Sequence, residues 1–563
     1  MLRRLVLWSG LLLLAHLPAF AQPVQPTPDP ADPAAAQAML HGSLQLSIAD
    51  AVAMGLKNNL DVEVSRHDPL SSWEDMRAAW GAYDPLALAD FGYESRKTPV
   101  ASSLQTSAVL TEHEIGGQSG LQGKLPWVNA GYGVSYVGAS LESNSSIKDL
   151  SPEYTSRIVF QTSIPLLKNL IWDEDWTRVK QTRILYGVAN EEFRRQVMDT
   201  VRNIETAYWD LVAREEEERV AQKSVEAAQA LLRQTKTQYE VGVISRVEVT
   251  EAEAGLATRE VELIRAQNFH NSAQDVLMNE VLGRGLRPGS RLAIVPSDRP
   301  GDYIVYEIDV EEAARKAFEN RPELAALQQE IERRVIETKY RNNQKLPQLD
   351  VQADYSLAGI SGKANASRLD FNAGTRATNT AVNGLIGFTG APVSLLSVPP
   401  PPGAPLVGRS YGSSHDNWSD ADSWSARGVL SIPLGNVAAR HLASKAEIEL
   451  RKSHSELARL EQGIILSVRL AARNLESAQE GIEAAERARV AAEEQLRAER
   501  IRLEQGESTP FDVLLREESL VGAESSKINA IRVYRNSVVA LDREQGTILK
   551  TRNILIDDVR ALR

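Results

Sequence analysis

Two stretches of this chain reverse direction on a single glycine between long helical patterns. Residues 239–256 read YEVGVISRVEVTEAEAGL, and residues 503–520 read LEQGESTPFDVLLREESL. Before the first glycine, Val197, Val201, Ile204, Tyr208 and Leu211 step by four and three. After the polar run REEEER, Val225, Ala228, Leu232, Thr235 and Tyr239 do the same. Before the second, Ile464, Val468, Ala471, Leu475, Ala478, Ile482 and Ala485 repeat that spacing. Apolar residues every 3.5 positions form the seam of a coiled coil. The many alanines allow close helix approach. A helix from about 174 to 240 would be roughly 100 Å long. Such a stalk encloses a globular core poorly. It spans a distance well and presents a tip.

The chain duplicates itself around these stalks, and internal repeats decide a fold before any local reading does. IADAVAMGLKNNLD at 48–61 returns as VEEAARKAFENRPE at 310–323. Pro85 and Tyr93 match Pro347 and Tyr355, and SIPL at 163–166 returns at 431–434. Gly242 matches Gly506, Glu248 matches Asp512, and Glu253 matches Glu517. The spacing predicts two repeats, 45–285 and 307–547, joined by a Gly/Pro-rich linker, 286–306, and followed by a C-terminal tail, 548–563. Each repeat opens with a helix, 47–81 or 309–344. The helix stops before a proline, which disfavours helix at the residue preceding it. Period-two patterns with aromatics follow and predict strands over 86–96, 154–164, 346–357 and 424–433. The segment GYGVSYV alternates as well and leaves the strand count open. Gly/Ser/Asn/Pro-rich stretches at 97–153 and 357–422 read as long exposed loops.

The start of the sequence, MLRR then LVLWSGLLLLAHLPAF then Ala19-Phe20-Ala21, has the parts of a secretory signal peptide over 1–21. A Pro-rich lead-in follows over 22–44. No later run of about 18 apolar residues exists to span a membrane as a helix. The net charge is −12, or −14 without Arg3 and Arg4, which argues against a nucleic-acid partner. With no cysteine, disulfides, zinc-thiolate sites and a lipidated N-terminal Cys are excluded. Tyr83, Phe91, Tyr93, Trp127, Tyr132 and Tyr136 are among the aromatics gathered in the strand segments. Aromatic-flanked alternating strands suit either a soluble sandwich or a membrane barrel. The leader, the missing membrane helix and the long polar loops favour the barrel. One chain has too few strands to close it, and an open edge in lipid is forbidden, so several chains must share it.

Chemistry signals are thin. The eight histidines are scattered, and no HExxH pair occurs. GGQSG at 116–120 lacks the lysine and hydroxyl of a phosphate loop, and REEEER spreads its acids around a helix as a solvated face. No enzyme, metal or cofactor is expected, and transport energy would have to come from a partner.

The duplicated helix–strand–strand–helix–turn–helix unit resembles the TolC-like outer-membrane efflux proteins, as do YEVGVISRVEV and RLEQGESTPFDV, IADAVAMGLKNN and the two SIPL stretches. The resemblance implies an α+β membrane protein: a homotrimer with a shared twelve-stranded barrel continued by an α-helical coiled-coil tunnel through the periplasm. The chain would be a passive exit duct in the Gram-negative outer membrane, for small-molecule efflux or type I protein secretion. Its partners would be outer-membrane lipid, a periplasmic adaptor and, through the adaptor, an inner-membrane pump. Residues Tyr239, Gly242, Val243, Gly506 and Glu507 would be adaptor-docking tips, and Asp512 would line an acidic entrance constriction. The plain reading of Glu248 and Asp512 as acids at a helix start stays open beside this. The second tip departs from the pattern at Leu503 and Leu515. A periplasmic scaffold or adhesion stalk without transport, and a general porin, are the alternative functions.

Overall fold

The computed structural model of the chain describes residues 41–102, 104–286, 291–299, 301, 305, 307–389, 410–416, 418 and 421–556. The expected signal peptide and most of the lead-in lie outside them, as do parts of the linker and the end of the tail. Two compact units result. The first holds the described residues of Met1–Val64, Gln196–Asn320 and Ser467–Leu555, and the second those of Ser65–Arg195, Arg321–Leu466 and Ile556–Arg563.

The first unit is built on helical hairpins. Helix α3, Glu174–Glu240, turns into α4, Arg246–Leu282, and α8, Val437–Glu504, turns into α9, Pro510–Glu544. Helices α3 and α8 contribute residues to both units. The seam read from spacing is the core. Val201, Ile204, Tyr208 and Leu211 of α3 have no solvent exposure, and Val468 and Leu475 of α8 have almost none. Leu475, Ala478 and Ile482 pack with Ile531, Tyr534 and Leu541 of α9. The charged run at 214–219 does not interrupt α3. Its charges pair along the helix, Arg214 with Glu217 and Arg219 with Glu216.

Each expected first helix is broken once. In place of 47–81 stand α1, Ile48–Asn58, and α2, Leu60–Trp80; in place of 309–344 stand α5, Val310–Asn320, and α6, Pro322–Asn343. Asn59 is extended, and its side-chain oxygen accepts from the Asp61 and Val62 N–H groups, restarting the helix. In the other pair Pro322 forces the break at Arg321.

The expected linker carries structure. Strand β6, Arg291–Pro296, pairs in parallel with β1, His41–Leu46, which overlaps the end of the lead-in. Leu46, Leu292 and Ile294 are buried, and the Tyr208 hydroxyl donates to Asp298 Oδ2 at 2.6 Å, with Leu46 O as an alternative acceptor 3.0 Å away. The tail is tied down too. Helix α10, Ile548–Thr551, precedes Arg552, whose guanidinium forks onto the fully buried Glu205 at 2.7 and 2.9 Å.

The second unit contains one antiparallel sheet with six strands: β2 Leu86–Pro99, β3 Val109–Leu125, β4 Ala130–Ser143, β5 Leu150–Pro165, β7 Gln348–Ala364 and β8 Asp422–Ser431. They pair in chain order. The sequence leaves the strand count open at GYGVSYV, and the twelve strands that the resemblance implies for a trimer would take four from each chain; this sheet has six. Strands β3 and β4 occupy the stretch read as a loop over 97–153. GYGVSYV lies in β4 and alternates as read, whereas β3 was hidden, because Gly116, Gly117, Gly120 and Gly123 dilute its alternation. Strand β7 also runs beyond 357, and the stretch 357–422 holds helix α7, Ala373–Thr389, and a short 3-10 helix at Tyr411–His415.

Candidate functional site

The sheet has two chemically opposite faces. Directly paired residues share a face. Register places Phe91 opposite Gly117, Gly117 opposite Gly138, Gly138 opposite Ser156, and Ser156 opposite Gly359. The same face carries Ile115, Val134, Phe160, Tyr355 and Trp424. Phe91 is 88% exposed and Trp424 76% exposed. The other face carries Asp90, Gln118, Arg157, Gln161, Asp354 and Arg427. It is concave: a depression of about 860 Å³ is lined by Leu86, Lys124, Gly131, Gln161, Asp354 and Arg427, one residue from each strand. A greasy, aromatic outside and a polar, hollowed inside are the pattern of a transmembrane barrel wall.

Aromatics bound the apolar face at two levels. At the helix-proximal ends of the strands, Trp176 meets Trp80 at 5.7 Å and Trp127 at 6.2 Å, and Lys180 sits 4.0 Å over Trp172. At the small-residue row, Tyr411–His415 and Trp418 lie on the face. Tyr136 stacks on His415 and donates to the Tyr411 hydroxyl at 2.9 Å, and Ser414 and Trp418 donate to Ser156 Oγ at 2.7 and 3.0 Å. A Cβ at Gly138 would overlap the Tyr411 hydroxyl, and one at Gly359 would overlap Ser414 O. Between the levels, Ser156 to Ile164 spans nine residues, or about 27 Å along the strand. That matches the nine to eleven residues a tilted strand needs to cross a bilayer.

The two helical tips lie in the first unit and share one backbone design. Gly242 and Gly506 both have φ of +80°. Gly242 N–H donates to Tyr239 O and Val243 N–H to Gln238 O, both at 2.9 Å. Gly506 N–H donates to Leu503 O at 3.1 Å and Glu507 N–H to Arg502 O at 2.8 Å. Each is a Schellman stop, closing the last carbonyls of one helix on a residue that a Cβ would strain. The returning helices both begin with a capping box, Ser245 with Glu248 and Thr509 with Asp512. The Thr509 hydroxyl, then its N–H, hydrogen-bonds to Asp512 and holds that carboxyl below its ordinary range.

Each sequence-predicted tip residue therefore has a defined place. Tyr239 and Val243 flank Gly242 and are exposed, as is Glu507 beside Gly506. Asp512 stands on the first turn of α9, engaged in its own cap. Sequence reasoning missed an ion pair that ties each hairpin together just behind its tip. Lys236 Nζ meets Glu253 at 2.8 Å, and Arg500 Nη2 meets Glu517 at 2.7 Å. The matched charges, six residues before and eleven after each glycine, were the available signal. Behind the second tip Glu499 accepts from Ser508 Oγ at 2.5 Å, and Leu231 of α3 packs with Leu496, Val513 and Leu514.

Among the described residues no three His, Cys, Asp or Glu side chains are placed to hold a metal ion, and no helix is long and apolar enough to cross a membrane.

No curated protein is significantly similar in sequence. Solved structures share the fold. The outer-membrane channel OprN superposes with a TM-score of 0.58 at 13% identity, over 89% of this chain and 90% of its own. The CmeC outer membrane channel of Campylobacter jejuni gives 0.56 at 12%, over 89% and 86%. The open-state MtrE channel of Neisseria gonorrhoeae gives 0.56 at 13%, over 90% and 91%. At such identities the likeness establishes architecture: an α+β fold with long helical hairpins and an antiparallel sheet. The family model for outer membrane efflux proteins matches residues 122–279 and 404–547, which include β4, β5, β8 and both glycine turns. Since those two segments together make up more than half of its length, the chain belongs to the outer membrane efflux proteins, and is an outer-membrane channel protein, not an enzyme.

Proposed function

We propose that three copies of this chain close one barrel and form a passive exit duct. The observation that carries this reading is the open sheet. Edge strands β2 and β8 are exposed along their whole length and hydrogen-bonded on one side only. Unpaired backbone in lipid is prohibitively costly, so β8 of one chain must pair with β2 of the next. The strands alternate in direction, so that junction is antiparallel like every other. The polar concave faces then line a common lumen, and the apolar faces meet outer-membrane lipid.

In this reading repeats 45–285 and 307–547 are the two halves of each subunit. The tips carrying Tyr239, Gly242, Val243, Gly506 and Glu507 dock a periplasmic adaptor, which links the duct to an inner-membrane pump. Asp512 lines the entrance. Small-molecule efflux and type I protein secretion both fit such a duct. The exposed valines of the first tip favour an apolar docking contact: Val241, Val243 and Val247 are each at least 65% exposed.

The test is the mass and conductance of the purified protein in a planar bilayer. A trimer that opens discrete channels is expected. A monomer, or an oligomer without conductance, overturns the duct and leaves the scaffold.

A further inference from the structure

We propose that the β3–β4 hairpin is a widening insert, and that the closed barrel has eighteen strands. This rests on the trimeric duct reading and adds the size of its exit. Only four of the six strands join directly to long helices: β2 follows α2, β5 leads to α3, β7 follows α6, and β8 leads to α8. Strands β3 and β4 do not. They turn back on each other at Pro126–Asn129, where Trp127 and Asn129 take positive φ. The hairpin is thus additional to the helix-supported wall.

It is nevertheless a full part of that wall. It sits in the middle of the sheet, not at an edge, with fourteen paired positions between β2 and β3 and fourteen between β3 and β4. Its side chains obey the two-faced rule of the other strands. Ile115, Leu121 and Val134 join the apolar face, while Gln118, Gln122 and Lys124 join the concave polar face. A flap folded into the lumen or lying outside the barrel would have no reason to keep this alternation in phase. Nor could it leave without unpairing β2 from β3 and β4 from β5. Three six-stranded sheets close eighteen strands, against twelve without the hairpin. Barrel diameter grows about linearly with strand number, so the hairpin widens the exit roughly 1.5-fold. An exit of that width passes correspondingly bulkier cargo through the membrane, leaving size selection to the tips.

The register supplies a matched comparison. Phe91 and Ser156 stand in the same row on the same face, so β2 and β5 can pair directly once the hairpin is removed. In the test, the full chain and a variant with residues 100–148 replaced by a short turn are imaged in nanodiscs by electron cryomicroscopy. Eighteen strands are expected in the full chain, with a barrel about 1.5 times as wide as the variant's. A second readout uses the full chain alone and does not depend on the variant folding. The protein has no cysteine, so single cysteines report cleanly. Gln118→Cys and Gln122→Cys should react with a charged, water-soluble maleimide, whereas Ser119→Cys and Leu121→Cys should react only with a lipid-soluble one. A trimeric channel with twelve strands, or aqueous labelling at all four positions, overturns the widened barrel and leaves the duct standing. A wild-type protein that is not a trimer overturns both.

Discussion

The two helical tips have the same backbone and different chemistry. Both stop on a glycine at φ +80°, close the same pair of hydrogen bonds, restart with a capping box, and brace the hairpin with an ion pair at matched positions. Around the first glycine stand exposed Val241, Val243 and Val247. Around the second stand Glu504, Glu507 and Asp512, with Val513 and Leu514 turned into a small core. The brace differs in depth as well: Glu253 is 52% exposed and Glu517 only 7%. The turn is thus a generic device for reversing a long helix. What each tip presents to a neighbour is set by side chains that the turn does not constrain. Substitutions at matched positions can separate the shared device from the divergent surface.

The largest expected asymmetry is in packing. Leu514, eight residues past Gly506, is buried against Leu231, Leu496 and Val513, and leaves no room for a Cβ at Gly255 of α4. Leu514→Ala should destabilise the second tip by about 2–4 kcal/mol through lost burial and the cavity left behind. At the matching place in the first tip stands exposed Thr250, and Thr250→Ala should change little. Hydrogen exchange of the tip amides measures both. Equal protection in the two variants would mean that burial of Leu514 does not hold the second tip.

Next come the braces. Glu517→Ala should cost about 1–3 kcal/mol, because it removes a charge-assisted hydrogen bond whose carboxylate is buried. Glu253→Ala should cost under about 0.5 kcal/mol, since its pair with Lys236 is solvated and screened. A double-mutant cycle with Arg500→Ala and Lys236→Ala isolates each coupling. Equal coupling energies would show that depth of burial does not distinguish the tips. The glycines should then behave alike. A Cβ at either position meets nothing within 4 Å, so Gly242→Ala and Gly506→Ala should each cost only the left-handed strain, about 1 kcal/mol. Unequal losses would show that one turn is held by contacts beyond its own backbone.

The tips were legible in the sequence because everything that makes them is local. Gly, then a hydroxyl cap three residues on, then an acid three further, is a complete helix stop and start within seven residues. The seam was legible for the same reason: Val201, Ile204, Tyr208 and Leu211 state their period directly, and the helix buries what that period aligns. The hairpin β3–β4 was only half legible: GYGVSYV shows the alternation of β4, but β3 shows almost none. A barrel strand hides one face in lipid and wets the other, and here Gly117, Ser119 and Gly123 stand on the apolar side. Small residues there admit Phe91 and the Tyr136 and Tyr132 rings, but they erase the alternation that identifies a strand. The parallel pairing of β1 with β6 was illegible for another reason. Its partners lie 250 residues apart, and no turn between them announces the pairing. The ion-pair braces lay between these cases. Their spacing was visible, but only the folded hairpin shows that the two charges face each other.

The finest comparison concerns the acids of the two caps. Asp512 does two jobs in the proposed duct: it caps α9 through Thr509, and it supplies a negative charge at the entrance. Asp512→Ala would remove both and confound them. Asp512→Asn keeps a side-chain oxygen for the Thr509 N–H and hydroxyl while deleting the charge, so the cap persists and the field does not. Three such charges around a narrow opening should attract cations, so Asp512→Asn should lower cation preference and weaken block by added trivalent metal. Glu248→Gln, the same change at the first cap, should do less. The pH dependence follows from the cap. Thr509 holds the folded-state Asp512 carboxyl below its ordinary value, so the capping contribution is present above the unfolded value of about 3.9 and is lost as pH falls below it. Selectivity that is unchanged in Asp512→Asn, or that changes equally in Glu248→Gln, would reduce Asp512 to a helix cap. The two tips would then differ in packing and in exposed surface, but not in the field they present to a passing solute.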